Sequence, residues 1–200
     1  MRPWTVILIL LAWAAYGQQF TPEKEAALGE QMAAAFLKDT TPVESKSLQV
    51  WVEQTGSRLA AHAETPFKFR FVVIDGDTGP THEPRSFPGG YIVISAQLLL
   101  ACRDDAEFAG MLAHAMAHVA NRDATRVASA VNQDGRVPLL LSFPGNGPAV
   151  PMAYRPIMRQ YEAEADATAA RMMREAGYDP PSGPSDEFRR IQDQIRPVRQ

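Results

Sequence analysis

The sequence has no excess of positive charge and few long apolar runs. Its 200 residues include 20 Lys and Arg against 23 Asp and Glu, which gives a formal net charge of −3. A nucleic-acid partner is therefore not expected, because such proteins present a basic surface. The apolar and charged fractions are those of an ordinary soluble domain, and this length suits one domain with a real core.

Cysteine and histidine are also scarce. Cys102 is the only cysteine, so an intrachain disulfide is excluded. It follows an apolar run, and we expect a buried, inert side chain and not a catalytic thiol. The histidines number four. Two of them, His62 and His82, lie outside any motif and are expected at the surface.

The first segment has the three parts of a secretory signal peptide. An arginine follows the initial methionine, residues 5–15 are almost continuously apolar, and Ala15 and Gly17 are small residues just before a cleavage site. About eleven apolar residues are too few for a membrane span, which requires roughly 20. We expect residues 1–17 to be a signal peptide and 18–200 an exported domain, periplasmic or secreted. A membrane contact is expected only if the segment is retained as an anchor.

Apolar periodicity and Pro/Gly clusters divide the rest of the chain into helices around a small sheet, an α+β fold that is mainly helical. Threonine before proline is a good helix start, and alternating or β-branched runs indicate strands. A stretch rich in Gly, Pro, Asp and Thr, residues 75–88, is expected to be loop. The expected helices begin at Thr21 and Thr41 and cover 96–101, 104–131, 157–176 and 185–195, and the expected strands cover 67–74 and 91–95.

Two histidines four residues apart in the long helix are the first indication of chemistry. His114 and His118 share one helix face, so two imidazole nitrogens can converge on one metal ion. Glu162 and Asp166 have the same spacing on a later helix. Glu162 could complete a set of three ligands that leaves the fourth position of a catalytic zinc open, and Asp166 could orient a ligand imidazole. Without metal, these would be ordinary surface or core histidines and a solvated acidic helix face.

Several motifs, in the same order, resemble zinc metallopeptidase family forty-eight, the HtpX, BepA and CAAX prenyl protease type. The resemblance covers most of the chain beyond the N-terminal segment. It implies a metallopeptidase fold and a zinc cofactor held by His114, His118 and Glu162. It also implies that Asp166 orients one of the ligand side chains. The metal site would lie between the H-x-x-x-H helix and the E-x-x-x-D helix. The matching segments are Gly29 with 31–32, 58–60, 87–92 (FPGGYI), 107–121 (EFAGMLAHAMAHVAN), 162–166 (EAEAD) and 174–180 (REAGYDP).

One position departs from the family pattern and bears directly on activity. The family's metal helix reads H-E-x-x-H, whereas Ala115 follows His114 here. The missing glutamate is the general base, which takes a proton from the attacking water and later gives it to the leaving amine. Alanine can do neither, and general acid–base catalysis contributes about 10²–10⁴-fold. No histidine follows His118, so oxyanion stabilisation falls to one of Tyr154, Arg155, Tyr161 and Arg171.

Three functions remain open. The first is an exported, zinc-binding metallopeptidase-like protein that is catalytically impaired. The second is an active endopeptidase family member whose glutamate was substituted in this chain, and the third is a zinc-free exported peptide-binding or chaperone-like module. Zinc binding separates the first two from the third, and rescue by Ala115→Glu separates the second from the first. In each case the expected partner is a polypeptide or unfolded protein segment. It would add as a strand beside the metal cleft along Tyr91, Ile92, Val93, Ile94 and Ser95.

Overall fold

The structure is a computed structural model that describes residues 21–78, 83–133, 155–178 and 183–196. The expected signal peptide, nearly all of the expected loop after residue 131, His82 and Tyr154 lie outside these ranges. Within the described ranges, no helix has both the length and the apolar character needed to cross a membrane.

The described residues form helices around one small sheet, which confirms the α+β class expected from the sequence. Several helix ends follow the predicted signals. Thr21 caps the first helix ahead of Pro22, Asp104 accepts a hydrogen bond from the Glu107 backbone at 2.8 Å, and Gly177 ends a later helix at φ +69°. The elements are α1 Pro22–Leu37, β1 Thr41–Pro42, α2 Lys46–Ala60, β2 Arg70–Asp75, β3 Arg85–Phe87, β4 Tyr91–Ser95, α3 Ala96–Ala101, α4 Asp105–Ala120, α5 Asp123–Gln133, α6 Arg155–Glu175 and α7 Asp186–Ile195.

The sheet places β4 in its interior, in the order β1-β2-β4-β3. β2 pairs in parallel with the whole length of β4, and β3 pairs antiparallel with Tyr91–Val93. Ile94 and Ser95 are fully buried beyond the end of β3. The expectation that Tyr91–Ser95 accepts a peptide as an added strand is therefore wrong, because both of its edges are paired or covered. The edge strand on this side of the sheet is β3, which lies in the segment expected to be loop.

Two helix boundaries also differ from the sequence expectation. Thr41–Pro42 forms the short strand β1, and α2 begins later, after Ser45, whose hydroxyl accepts a hydrogen bond from the Leu48 backbone at 3.3 Å. The helix expected over 104–131 is two helices, because Arg122 adopts a left-handed conformation with φ +58°. No glycine or proline marks this break, so the sequence pattern runs through it.

Helix α4 runs through the core. Its Phe108 packs against Trp51 at a ring-centroid distance of 4.9 Å, and Trp51 also contacts Phe188 of α7 at 5.5 Å. Buried alanines on α4 and on its neighbour α6, such as Ala113 and Ala165, are small enough for the two helices to pack closely. This packing sets the face of α4 that carries the histidines opposite the acidic face of α6.

Helix α1 meets the turn Pro88–Gly90 through backbone contacts that exclude side chains. A Cβ atom at Gly29 would lie 1.6 Å from the Pro88 carbonyl oxygen, and a Cβ at Gly89 would lie 2.4 Å from the Cα of Ala26. Gly89 also has a φ of +77°, which favours glycine. The contact fixes the turn that joins the edge strand β3 to β4.

Candidate metal centre

Three side chains from two helices converge at one point. The Nε2 atoms of His114 and His118 are 3.0 Å apart, and Glu162 Oε2 lies 3.3 Å from the first and 3.5 Å from the second. Zinc with bonds of about 2.0–2.2 Å in tetrahedral geometry holds its ligand atoms roughly 3.4 Å apart. The triangle of potential ligand atoms therefore fits a zinc ion. The structure brings together the three residues that the sequence motifs pointed to as ligands.

Local helix geometry accounts for this convergence. A four-residue separation places His114 and His118 on successive turns of α4, with their ring centroids 4.6 Å apart and the rings nearly perpendicular. On the same helix Leu112 and Met116 are fully buried in the core. The core face of α4 thus fixes the rotation of the helix, and the two imidazoles face the cleft.

Each histidine also contacts a carboxylate through its other ring nitrogen. His114 Nδ1 lies 3.0 Å from Asp166 Oδ1, as the spacing of the acidic helix suggested. His118 Nδ1 lies 2.8 Å from Asp123 Oδ2, and the Asp123 side chain is only 3% exposed. A carboxylate at Nδ1 keeps the proton on that atom and leaves the Nε2 lone pair for a metal.

Sequence reasoning missed Asp123. It follows His118 by five residues, a separation that would place it off the ligand face of a continuous helix. The chain instead turns at Arg122 and brings Asp123 back onto His118. Only a signal for that turn could have identified it, and the sequence has no glycine or proline there.

Asp123 is in turn held by Arg126 of α5. Arg126 Nη1 donates to Asp123 Oδ1 at 3.0 Å and to Glu164 Oε2 at 2.6 Å. Its guanidinium carbon lies 4.1 Å from the centre of the Tyr161 ring. Glu164, two residues from Glu162, therefore faces away from the histidines and links α6 to α5.

The electrostatics of the metal-free cluster favour the protonated form of the His118 imidazole. Burial pulls the pKa of His118 down, but hydrogen bonds to Asp123 and Glu162 outweigh burial and raise this pKa to about 9. Hydrogen bonds from His114 and then from His118 hold the pKa of Glu162 well below its usual range. Glu162 is thus an anion at neutral pH, and metal must displace a proton from His118 to bind.

The triangle lies in a cleft of about 300 Å³. Ala115 also lines the cleft and is only 3% exposed. Two other acids of the lining are already paired, Glu25 with Arg122 and Asp123 with His118 and Arg126. The remaining lining includes β3, Glu83, Met111 and Met158.

The proposed oxyanion-stabilising residues are placed elsewhere or lie outside the described part. Neither Tyr161 nor Arg171 lines the cleft. Arg171 Nη1 donates to the backbone oxygen of His62 at 3.0 Å, and the half-buried His62 ring lies 3.5 Å from Glu175. Tyr154 and the side chain of Arg155 are not among the described groups.

Cys102 is buried, as expected, and plays no part in this cleft. Burial first, and then the nearby charges of Glu107 and Asp104, raise the pKa of its thiol to about 12. The side chain is therefore a neutral thiol at physiological pH and a poor nucleophile.

The fold and the cluster of potential ligands are those of a helix-borne metallopeptidase. Residues 46–182 match Peptidase family M48, and the chain belongs to this family. Members of the family are zinc metallopeptidases, in agreement with the cluster formed by His114, His118 and Glu162. The resemblance inferred from the sequence motifs is confirmed.

One curated relative is a protein of Vibrio cholerae serotype O1 named "Putative beta-barrel assembly-enhancing protease". It is 26% identical in an alignment 200 positions long that covers 90% of this chain and 40% of the relative. The chain thus spans well under half of that protein's length.

Proposed function

We propose that this protein is an exported, zinc-binding, metallopeptidase-like protein that receives polypeptide in its cleft and is catalytically impaired by Ala115. The observation that carries the proposal is the triangle of His114, His118 and Glu162, with ligand atoms 3.0–3.5 Å apart. A zinc ion there would polarise a peptide carbonyl and make water more acidic. Membership of a zinc metallopeptidase family gives independent support.

The carboxylates that contact the two histidines through Nδ1 supply orientation. Asp123 and Asp166 hold the two imidazoles through Nδ1. Asp123 and Glu25 line the cleft, but both are engaged with other residues at hydrogen-bonding distance, so neither is positioned as a general base. The methyl group of Ala115 stands where the family's base would stand.

The edge strand β3 is the best place for a substrate backbone. Its residues Arg85, Ser86 and Phe87 line the cleft, and β4 occupies one side of the strand. Among the described residues no strand pairs with its other side. An extended peptide added there would run beside the triangle through main-chain hydrogen bonds, which tolerate many sequences.

Metal content and peptide hydrolysis, measured side by side on the unchanged chain, Ala115→Glu and Ala115→Gln, test the proposal. We expect about one zinc per chain in all three. Ala115→Glu should hydrolyse an unfolded protein or peptide at least about 10²-fold faster than the unchanged chain, mainly through kcat. Ala115→Gln is the matched control, because it has nearly the same shape but cannot accept the proton.

The ligand assignment has its own comparison. Glu162→Ala should lose the stoichiometric zinc, whereas Glu164→Ala should retain it, since Glu164 faces Arg126. Failure of the unchanged chain to bind zinc would favour the zinc-free binding module. If Ala115→Glu is no faster than Ala115→Gln while both hold zinc, the cleft is not a protease site lacking only its base.

A further inference from the structure

Helix α1 lies outside the family match yet contributes a buried acid to the metal cleft. The match begins at residue 46, whereas α1 covers Pro22–Leu37. Glu25 in its first turn is 1% exposed and lines the same cleft as His118. An acid this deeply buried requires a partner, because an unpaired buried charge is strongly destabilising.

The partners of Glu25 lie at the break between α4 and α5. Its Oε2 is 2.7 Å from both Nε and Nη2 of Arg122 and accepts a hydrogen bond from Thr125 Oγ1 at 3.2 Å. The same hydroxyl lies 3.0 Å from the Arg122 carbonyl oxygen. The Glu25 carboxylate therefore stabilises the turn at Arg122 through hydrogen bonds with the side chains of Arg122 and Thr125.

This turn decides where Asp123 lies. Arg122 has a φ of +58°, an uncommon conformation for a residue with a side chain, and such a conformation persists only where its surroundings impose it. Asp123 is the next residue, and its Oδ2 lies 2.8 Å from His118 Nδ1. A continuous helix at this point would carry Asp123 away from His118.

We propose that Glu25 is a positioning residue for the metal centre. By holding Arg122 and Thr125 it fixes the turn that sets Asp123 against His118, and so the orientation of one zinc ligand depends on helix α1. This inference rests on the proposed zinc binding. A purely structural ion pair would instead stabilise the fold without affecting the ligand.

The test compares Glu25→Gln, Arg122→Ala and the double variant in the full chain, with Glu30→Gln as control. Glu30 lies on the same helix but is exposed. Alanine removes the guanidinium but keeps the cost of the left-handed φ, which glycine would relieve. Zinc affinity is measured by competition with a chromogenic chelator, well below the unfolding temperature of each variant. The absorption spectrum of the cobalt-substituted protein reports the ligand geometry.

Glu25→Gln and Arg122→Ala should each weaken zinc binding by about 10-fold, the lower end of the loss for groups that orient a metal ligand. The double variant should lose no more than either single change, since both act through one contact. The cobalt spectrum should change in all three and remain unchanged in Glu30→Gln.

The outcomes separate this inference from the proposed function. If the unchanged chain binds no zinc, both fail. If it binds zinc, and the Glu25 and Arg122 variants match Glu30→Gln in affinity and cobalt spectrum, Glu25 is only structural and this inference alone fails. Should Glu25→Gln not fold, Arg122→Ala decides by itself, because it removes the same ion pair and keeps the cost of the left-handed φ.

Discussion

Asp123 and Asp166 make equivalent contacts with the two histidines but in different surroundings. The Asp123 side chain is 3% exposed and is held by Arg126, whereas that of Asp166 is 73% exposed. Water competes for the exposed contact and not for the buried one, so the buried hydrogen bond should matter more.

We therefore expect Asp123→Asn to weaken zinc binding by about 10–100-fold and Asp166→Asn by a smaller factor. The two substitutions are equal in size and charge, so each serves as the control for the other. Chelator competition at constant pH gives the ratio of affinities. A larger loss for Asp166→Asn would contradict the assigned importance of the buried contact.

The protonated His118 should make the stability of the metal-free protein depend on pH. Its pKa is raised from 6.5 to about 9 in the folded state, because hydrogen bonds to Asp123 and Glu162 exceed the opposing effect of burial. The contribution of the protonated His118 to the free energy of unfolding is fully present below the unfolded pKa of 6.5. It is lost as the pH rises through the folded pKa of about 9. With a chelator present, the free energy of unfolding should fall across that interval.

Denaturant titrations at several pH values measure this dependence, with His118→Gln as the control. The variant lacks the titrating ring, and its stability should vary less between pH 6.5 and 9. Equal slopes for the two proteins would show that another group is responsible.

At the scale of elements, the contact between α1 and the turn Pro88–Gly90 should be intolerant of any side chain. Gly29→Ala would place a methyl group 1.6 Å from a backbone oxygen, so the helix would have to move. We expect it to lower the free energy of unfolding by roughly 3 kcal/mol, near the upper end for overpacking.

Gly110→Ala in α4 is the matched control. The nearest atom to an added Cβ at Gly110 is the end of Met173, at 3.9 Å. This change should be neutral or stabilise by up to about 1 kcal/mol, since alanine favours helix more than glycine does. Chemical denaturation of both variants checks the difference, and similar effects would mean that the contact between α1 and the turn is looser than described.

Local sequence patterns predicted the features of the structure that depend on a single helix. The spacing of His114 and His118, and of Glu162 and Asp166, follows from helix geometry alone, and the ends of α3, α4 and α7 are marked by their own capping residues. That the two helices face each other came from the family resemblance.

What the sequence did not predict depends on pairing between distant segments. The three-residue strand β3 is too short for a periodic signal, and without it β4 looked like an available edge. The roles of Asp123 and Glu25 could be predicted only together with the turn at Arg122. No glycine or proline marks this turn, and a residue 97 positions away stabilises it. Such contacts leave no local pattern, because in the sequence each of the two acids resembles an ordinary surface residue.

At the scale of the whole molecule, we expect the mature protein to begin near Gln18 and to be exported. The apolar run of residues 5–15 and the small residues Ala15 and Gly17 motivate this expectation. N-terminal sequencing of protein from the cell envelope and the medium measures the start. Gly17→Arg is the matched variant, because an arginine at this position should block cleavage and leave residues 1–17 attached. Intact protein with Met1 in the cytosol would contradict export.

The burial of Ala115 has a consequence for how the protein endures periods without metal. A glutamate at this position would share the cleft with Glu162, and with no ion between them the two carboxylates would repel. Alanine avoids that repulsion and is the best helix former. On the proposed function, Ala115 exchanges turnover for stability of the metal-free protein, a common trade at active sites. Where zinc supply is intermittent, the metal-free protein should stay folded longer than an otherwise equally stable relative that keeps the glutamate. It should therefore remain able to bind zinc again.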